Sequence, residues 1–518
     1  MSTGIVAIST KEIPWKALTA EIIIGKDILE LLSSSMYVDP MAIYREYIQN
    51  AADSIDEARS AGLLGTDDPG KVSIKIDSSA RSVKINDNGA GIPFGDFAGR
   101  LTAFGASKKR GMGSRGFRGV GRLAGIGYCQ ELIFRSRAAG EAKACEIRWD
   151  CRKLKGILRS EEGHHDLRNA VEQVVEVRRI PGADLPRRFF EVEMCGIVRH
   201  RNDQLLSPLA IKSYLAQVAP VPFRGDFLFQ DEILRHLGSQ VRLGNLEITI
   251  DDDNTPVYRP HGKALEVGPD AFDRFTEVEL LTIEGIDGKP ACLGWVLHHG
   301  YTGALPVSCN VRGLRARCGN IQVGDERLFE ELFPETRFNG WSVGELHIVD
   351  PRILPNGRRD HFEQSVHFSN LLTHLAPVAR AIARKCRTNS IQRKWSREFE
   401  LRESAIRDKI AIVKQRALSR QDHSKITEEI RVGLKLLDGI LGKGILPAPV
   451  IEDLTKRKEK LERSVSKVFD TPVKGSVLSD FPPSKRKAYE QLIGLIYSCS
   501  TNQSNAKVLV DKILARLT

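Results

Sequence analysis

The sequence predicts an α/β chain: a two-layer α/β sandwich, then a second α/β region, then a helical C-terminal region. Three observations carry that expectation. Residues Met41 to Ala61 place Ile43, Tyr47, Ala51 and Ile55 at helical spacing. Val72 to Ile76 and Ser82 to Ile85 alternate as strands and are closed by Asp87-Asn88-Gly89. Beyond Phe368 glycine becomes rare and long helical patterns take over. For 518 residues the length prior gives roughly three or four domains. They are drawn here as 1–205, 206–365 and 366–518.

Composition narrows the class. A hydrophobic fraction of 41% with 28% charged residues is that of a soluble globular protein rather than a disordered or fibrous one. Nine cysteines without a CxxC pair argue against a disulfide framework and a structural zinc site, and fit a reducing compartment. Met1 to Ala20 carries Lys11, Glu12 and Lys16 where a secretory signal needs an apolar core. No apolar run approaches the roughly 18 residues of a membrane span, so the expectation is a cytoplasmic protein without membrane contact. The net charge of +11 permits a polyanionic partner without requiring one.

The elements follow in chain order. Ile22 to Leu32 reads as a helix. Pro40 precedes a second helix, the one over 41–61. After the two strands, Glu131 to Arg135 and Phe189 to Met194 are strand-like. Hairpin-like pairs so close in sequence predict antiparallel members in the sheet. In the second region Leu243 to Ile250, Cys292 to His298 and Glu345 to Val349 are the expected strands. Arg312-Gly313-Leu314-Arg315-Ala316-Arg317 and Asn356-Gly357-Arg358-Arg359-Asp360 place basic groups beside glycine turns, within expected reach of a polyphosphate. In the helical end, residues 371–430 hold 14 Lys/Arg against seven Asp/Glu, which reads as the charged face of a helical hairpin or as a nucleic-acid surface. Gly439 to Pro449 breaks the pattern, Ile451 to Val468 is a polar helix, Pro472 to Pro483 a linker, and Lys485 to Leu517 a last helical unit.

Three motifs point to one chemistry. Glu46, Asn50 and Asp53 lie four and three residues apart, so they project from adjacent turns of one helical face. Phosphate hydrolysis needs a group that orients or deprotonates water, which a carboxylate such as Glu46 supplies. It also needs Mg²⁺, for which Asn50 offers a neutral oxygen ligand. Asp53 supports the site or belongs to a solvated face. Asp87 follows a strand and precedes Gly89 and Gly91. Its carboxylate can accept from an exocyclic amine while the two glycines admit a purine closely. Phe104 to Leu123 contains six glycines with Ser107, Lys108, Lys109 and Arg110, a phosphate lid ending in a helix that begins near Gly121. No GxxxxGK[ST] or Rossmann fingerprint is present. His164-His165-Asp166 and His298-His299 lack spaced metal-ligand partners and read as surface or core histidines.

In this order the three motifs resemble the Bergerat-fold ATPases. That superfamily is shared by type II topoisomerase ATPase domains, MutL proteins, microrchidia proteins, histidine kinases and the ninety-kilodalton heat-shock chaperones. The resemblance implies ATP as substrate, Mg²⁺ as cofactor, Glu46 as the catalytic glutamate and Asn50 as the metal ligand. It further implies Asp87 at the adenine, with Asp53, Gly89, Gly91, Ser107, Lys108, Gly116, Gly119 and Gly121 around the nucleotide. The retained glutamate places the chain with the hydrolysing branch, which dimerises through nucleotide-dependent lid closure. Val349 to Asp360 looks like the chaperone middle-domain loop whose arginine reaches the γ-phosphate, with Arg359 the better match and Arg358 the second. The 206–365 region would then be transducer-like. Two departures stand out: the Lys108-Lys109-Arg110 lid is more basic than a chaperone's, and the helical end does not resemble a chaperone dimerisation domain. The expectation is an ATP-driven conformational machine acting on protein clients; the alternatives are a nucleic-acid clamp or defence-type module and a nucleotide-sensing scaffold.

Overall fold

The computed structural model describes residues 39–65, 67–103, 121–159, 167–199, 202–243, 246–469 and 477–517. The expected helix over 22–32, most of the 104–123 motif, His164-His165-Asp166 and the first part of the 472–483 linker lie outside the described residues. Two compact units are formed: residues 1–299 with 305–379, and residues 300–304 with 380–518.

In the first unit, helix α1 (Ala42–Ser60) forms as its spacing predicts. Asp39 Oδ1 accepts from the Met41 N–H at 3.0 Å at its start, and the Leu63 N–H reaching Ala58 O at 2.8 Å closes it. Ile43, Tyr47, Ile48, Ala51 and Ile55 are buried in one core with Val72, Ile74, Val83 and Ile85, each large side chain contributing about 1.5–3 kcal/mol. Those four residues belong to β1 (Gly70–Asp77) and β2 (Ser82–Asp87). There follow α2 (Phe94–Thr102), β3 (Glu131–Arg137), β4 (Lys143–Asp150), α3 (Cys151–Arg159), α4 (Leu167–Val174), β5 (Val175–Pro181) and β6 (Phe189–Cys195). Then come α5 (Pro208–Val218), α6 (Gln230–Leu237) and β7 (Leu246–Ile250).

The first sheet has the order β5-β4-β3-β6-β2-β1-β7. All its pairings are antiparallel except β1 with β7. The strand read from sequence as part of the second region therefore completes the first sheet, with Val72 opposite Ile248. β4 and β5 escaped the sequence reading. The burial of β5 runs ieeeeie along Val175–Pro181, so it lacks the apolar alternation that marks a half-buried strand.

Further on lie a hairpin of β8 (Leu265–Gly268) with β9 (Ala271–Asp273), then β10 (Glu277–Glu284), β11 (Pro290–His298), β12 (Gly313–Cys318), β13 (Ile321–Val323) and β14 (Val343–Ile348). The second sheet runs β10-β11-β14-β12-β13, with β12 and β14 parallel. Register sets Trp295 opposite Glu345 and Glu345 opposite Arg315, so one face carries a buried polar set. Glu345 Oε1 accepts from Arg317 Nε at 2.7 Å, and Arg259 also donates to Glu345. Arg317 Nη2 reaches Gln217 O at 2.6 Å and Nη1 reaches Ala219 O at 3.3 Å, capping the C-terminal carbonyls of α5 with positive charge. The sequence expectation that the 312–317 run reaches a polyphosphate is corrected here. Arg315 and Arg317 are buried and spent on Gln217, Gln322, Asn320 and Glu345.

His298 and His299 take separate partners, Glu279 at 2.8 Å for the first, Asp273 at 3.3 Å and Trp341 O at 2.9 Å for the second. They are core groups tying β9, β10 and the 341 turn to β11.

The second unit is helical. α7 (Val366–Lys414) enters it at Arg380, followed by α8 (Arg420–Leu441), α9 (Ala448–Phe469), α10 (Pro483–Cys499) and α11 (Gln503–Leu517). Phe399, Ile406, Ile410, Ile430, Leu437, Leu454 and Leu461 join α7, α8 and α9. Ile412, Ala417, Ile493, Tyr497, Val510 and Leu514 join α10 and α11 to the end of α7. Ser419 caps α8 by accepting from the Asp422 N–H at 3.1 Å.

Candidate functional site

Helix α1 organises the site. Its apolar face is committed to the first sheet, and Glu46 and Asp53 are nonetheless buried while Asn50 is half-buried. Burial of two carboxylates on one helix needs compensation. For Glu46 it comes from its neighbour in sequence: Arg45 Nη2 lies 3.4 Å from Glu46 Oε1.

Two segments distant in sequence close on the same helix. The β2 strand delivers Asp87, whose Oδ1 accepts from the Gly89 N–H at 2.8 Å. The turn is pinned to α1 by the Ala90 N–H donating to Ser54 O at 3.0 Å. A Cβ on Gly89 would collide with Ser54 Oγ and Asp87 Oδ1, so only glycine lets this turn lie against the helix. Gly91 is in the left-handed region at φ +69° and has Arg137 O where a Cβ would stand. The second segment begins at Gly121. A Cβ there would meet Glu46 Oε2. Four residues on, the Gly125 N–H donates to Tyr47 OH at 3.0 Å.

Gly121 opens a 3₁₀ helix over Gly121–Gly127, where the sequence predicts that a helix begins. The tighter turn brings Gly121 and Gly125 onto successive α1 residues, Glu46 and Tyr47. Arg122 Nη2 donates to Ala103 O at 3.0 Å, so the two flanks of the 104–120 segment are held together. Ser107, Lys108, Gly116 and Gly119 themselves lie outside the described residues.

The loop after β14 also meets α1. Arg45 Nη2 donates to Arg358 O at 2.9 Å and Nη1 to Arg359 O at 3.5 Å. Arg359 sits at φ +54°, a conformation that costs a non-glycine residue of order 1–3 kcal/mol. The turn is held by the Arg359 N–H to Asn356 O at 3.1 Å and the Gly324 N–H to Arg359 O at 2.8 Å. The Arg359 side chain is buried and that of Arg358 exposed. One guanidinium, Arg45, thus touches both the Glu46 carboxylate and the backbone of the 358–359 turn.

Sequence pattern marks none of Arg45, Ser54 and Tyr214 as site residues, and gives Tyr47 only as an apolar position of the helix. Tyr214 of α5 has its phenol pushed above its ordinary value by burial, against the pull of Arg45 and with Asp39 and Glu46 adding to the rise. The phenol is therefore neutral, within the electrostatic reach of the Arg45/Glu46 pair. A usable signal for Arg45 was its place directly before a candidate catalytic acid. Nothing in sequence marked Ser54 or Tyr214, whose roles come from contacts across the fold.

Glu46, Asn50, Asp53 and Asp87 offer oxygen rather than thiolate or imidazole donors, and among the described residues no three His, Cys, Asp or Glu side chains are gathered as a metal site. Residues 41–170 match the family described as histidine kinase-, DNA gyrase B-, and HSP90-like ATPase. The N-terminal part of this chain carries an ATPase domain of that kind. The ATPase domain is related, at a distance, to HtpG chaperones. This chain is 26% identical over 212 residues to the chaperone protein HtpG of Chromobacterium violaceum, covering 36% of this chain and 31% of that one. The HtpG proteins of Polaromonas naphthalenivorans and Burkholderia lata are 30% and 28% identical over 139 and 142 residues, each match covering 24% of this chain and 22% of the relative. The chain thus spans less than a third of the length of these curated relatives. The family match contains Glu46, Asn50, Asp53, Asp87 and all the motif glycines, and ends well before Arg359. No helix among the described residues is long and apolar enough to cross a membrane.

Proposed function

We propose that this chain binds Mg·ATP against α1 and hydrolyses it to ADP and phosphate, using the cycle to drive a conformational change. The observation that carries the reading is convergence on α1: Gly89 packs on Ser54, Gly121 on Glu46 and Gly125 on Tyr47. A helix presenting two buried acids, approached by two glycine-bearing segments, leaves backbone rather than side chains facing a ligand.

In this reading Asp87 accepts from the exocyclic amine of adenine, with Gly89 and Gly91 giving the base close access. Glu46 orients and deprotonates the attacking water. Asn50 holds the metal, whose chemistry when bound is to offset charge on the phosphates, and Asp53 supports that oxygen set. The 105–121 segment, with Ser107, Lys108, Gly116, Gly119 and Gly121, covers the phosphates and excludes water. Arg359, rather than the exposed Arg358, supplies positive charge to the transferring phosphoryl group. Arg45 makes the 358–359 turn sensitive to the state of Glu46, because a single guanidinium serves both.

Kinship with HtpG proteins favours a chaperone-like cycle in which two copies close together on nucleotide, in the cytoplasm. The test is phosphate release by the parent and by Glu46→Ala, with nucleotide binding measured alongside. Equal background turnover in both would sink the catalytic assignment. Loss of binding in Asp87→Asn but not in Glu46→Ala would support the division of roles. Adding an unfolded protein should stimulate the parent if clients are what the cycle acts on.

A further inference from the structure

The opening half of α7 within the second unit differs from the rest of that unit in how its charges are disposed. No Asp or Glu occurs between Glu363 and Glu398, while Arg380, Arg384, Arg387 and Lys394 are all exposed. At about 100° per residue these four fall within an arc of roughly 80°. The opposite face is the one that packs. Ile382 and Cys386 are buried, Asn389 Nδ2 donates to Gly300 O at 3.2 Å, and Arg393 Nη1 to Tyr301 O at 2.6 Å. Lys385 and Arg397 flank the stripe.

Further along the unit several basic residues are matched by acids: Arg402 with Glu398 at 2.6 Å, Arg407 with Glu403 at 2.5 Å, Lys409 with Glu429 at 2.8 Å and Lys456 with Glu452 at 2.7 Å. Arg380, Arg384, Lys394 and Arg397 have no carboxylate within ion-pair reach among the described residues. A solvated helix face carries mixed signs at i,i+4; this one carries a single sign over about 21 Å, the rise of 14 residues.

We infer that the Arg380–Lys394 stripe is a docking surface for the phosphate backbone of duplex DNA, independent of nucleotide hydrolysis at α1. A straight row of cations on a rigid helix complements a regular phosphate array, and release of condensed counterions supplies the affinity. A single strand would call for aromatic platforms on which bases stack. The one indole here, Trp395, is half-buried and has its ring covered by Lys394 at 5.8 Å and Lys443 at 4.6 Å. A membrane surface would call for an apolar face beside the basic one; Ile391 is the one exposed large apolar residue on the stripe, and the opposite face is occupied.

The test uses the full chain and a 30-base-pair duplex of arbitrary sequence. Binding is expected in the micromolar range at about 0.1 M salt. The Arg380→Ala/Arg384→Ala/Lys394→Ala variant should bind at least tenfold more weakly, with a salt slope shallower by about 2–3, near 0.9 per contact removed. Arg384→Glu alone should weaken binding in the same direction, and circular dichroism should show unchanged helix content in both. Lys456→Ala/Arg463→Ala, which removes cations paired with Glu452 and Glu459, should bind like the parent. Equal affinity of parent and triple variant, or no binding at 50 mM salt, overturns the inference. So does preference for single strands, duplex RNA, poly-glutamate or anionic phosphatidylserine vesicles over duplex DNA at matched salt.

Discussion

Glu46 and Glu345 are both buried in the first unit, and both have arginine beside them, yet they are held in opposite ways. Glu46 has a single ion pair among the described residues, to Arg45 at 3.4 Å, and glycine on its other side. Glu345 is clasped by Arg259 and Arg317, with His347 Nε2 at 3.3 Å. Burial raises the Glu345 carboxyl, and the two arginines outweigh that to hold it well below the ordinary carboxylate range. The difference separates a lightly held acid from a locked one. A loosely held carboxylate beside open backbone is free to change partners, whereas one clasped by two buried arginines serves architecture.

The comparison can be broken at four points. Glu46→Ala should lower turnover by about 10²–10⁴-fold with little change in thermal midpoint; a stability loss matching the activity loss would make Glu46 structural. Glu345→Gln should do the reverse. It leaves two buried guanidinium groups without a counter-charge, and the expected cost is about 3–5 kcal/mol in urea unfolding, with ATP turnover per folded molecule nearly unchanged. A loss under about 1 kcal/mol would mean that the arginines find water.

The third point is pH. His261 is pushed down to about 3 and His347 to about 4, in both cases by burial first, with Arg259 and Arg317 adding to the lowering and Glu345 opposing it. The unfolded chain therefore takes up these protons before the folded one. The stability they contribute is complete above about pH 6.5 and is lost as pH falls from there toward 4, at about 1.4 kcal/mol per pH unit for each ring. Urea midpoints at pH 7 and 5 measure it, and His261→Phe should flatten the dependence. An unchanged slope in that variant would place the proton uptake elsewhere. The smallest effect is expected at Gly121→Ala. Crowding Glu46 from its open side should slow turnover several-fold at a stability cost of about 1 kcal/mol or less; parent-like kinetics would show that Glu46 does not need the space.

Local pattern and motif determined much of this molecule. The helical period of Ile43, Tyr47, Ala51 and Ile55 defines α1, and period-two alternation defines β1, β2, β3 and β6, because each face of those elements meets a different environment. That Glu46, Asn50 and Asp53 share a helix, and that a glycine turn follows Asp87, was legible for the same reason: each set is local in sequence. Partners brought from far along the chain were not. β7 joining the first sheet, Ser54 receiving Gly89, Gly121 seating on Glu46 and Arg45 bridging to the 358–359 turn all depend on contacts between segments separated by tens to hundreds of residues. The basic run over 312–317 shows the limit most plainly. Composition gives an arginine no address, and only packing decides whether its charge is spent on a buried glutamate, as in Arg317, or left facing solvent, as in Arg384.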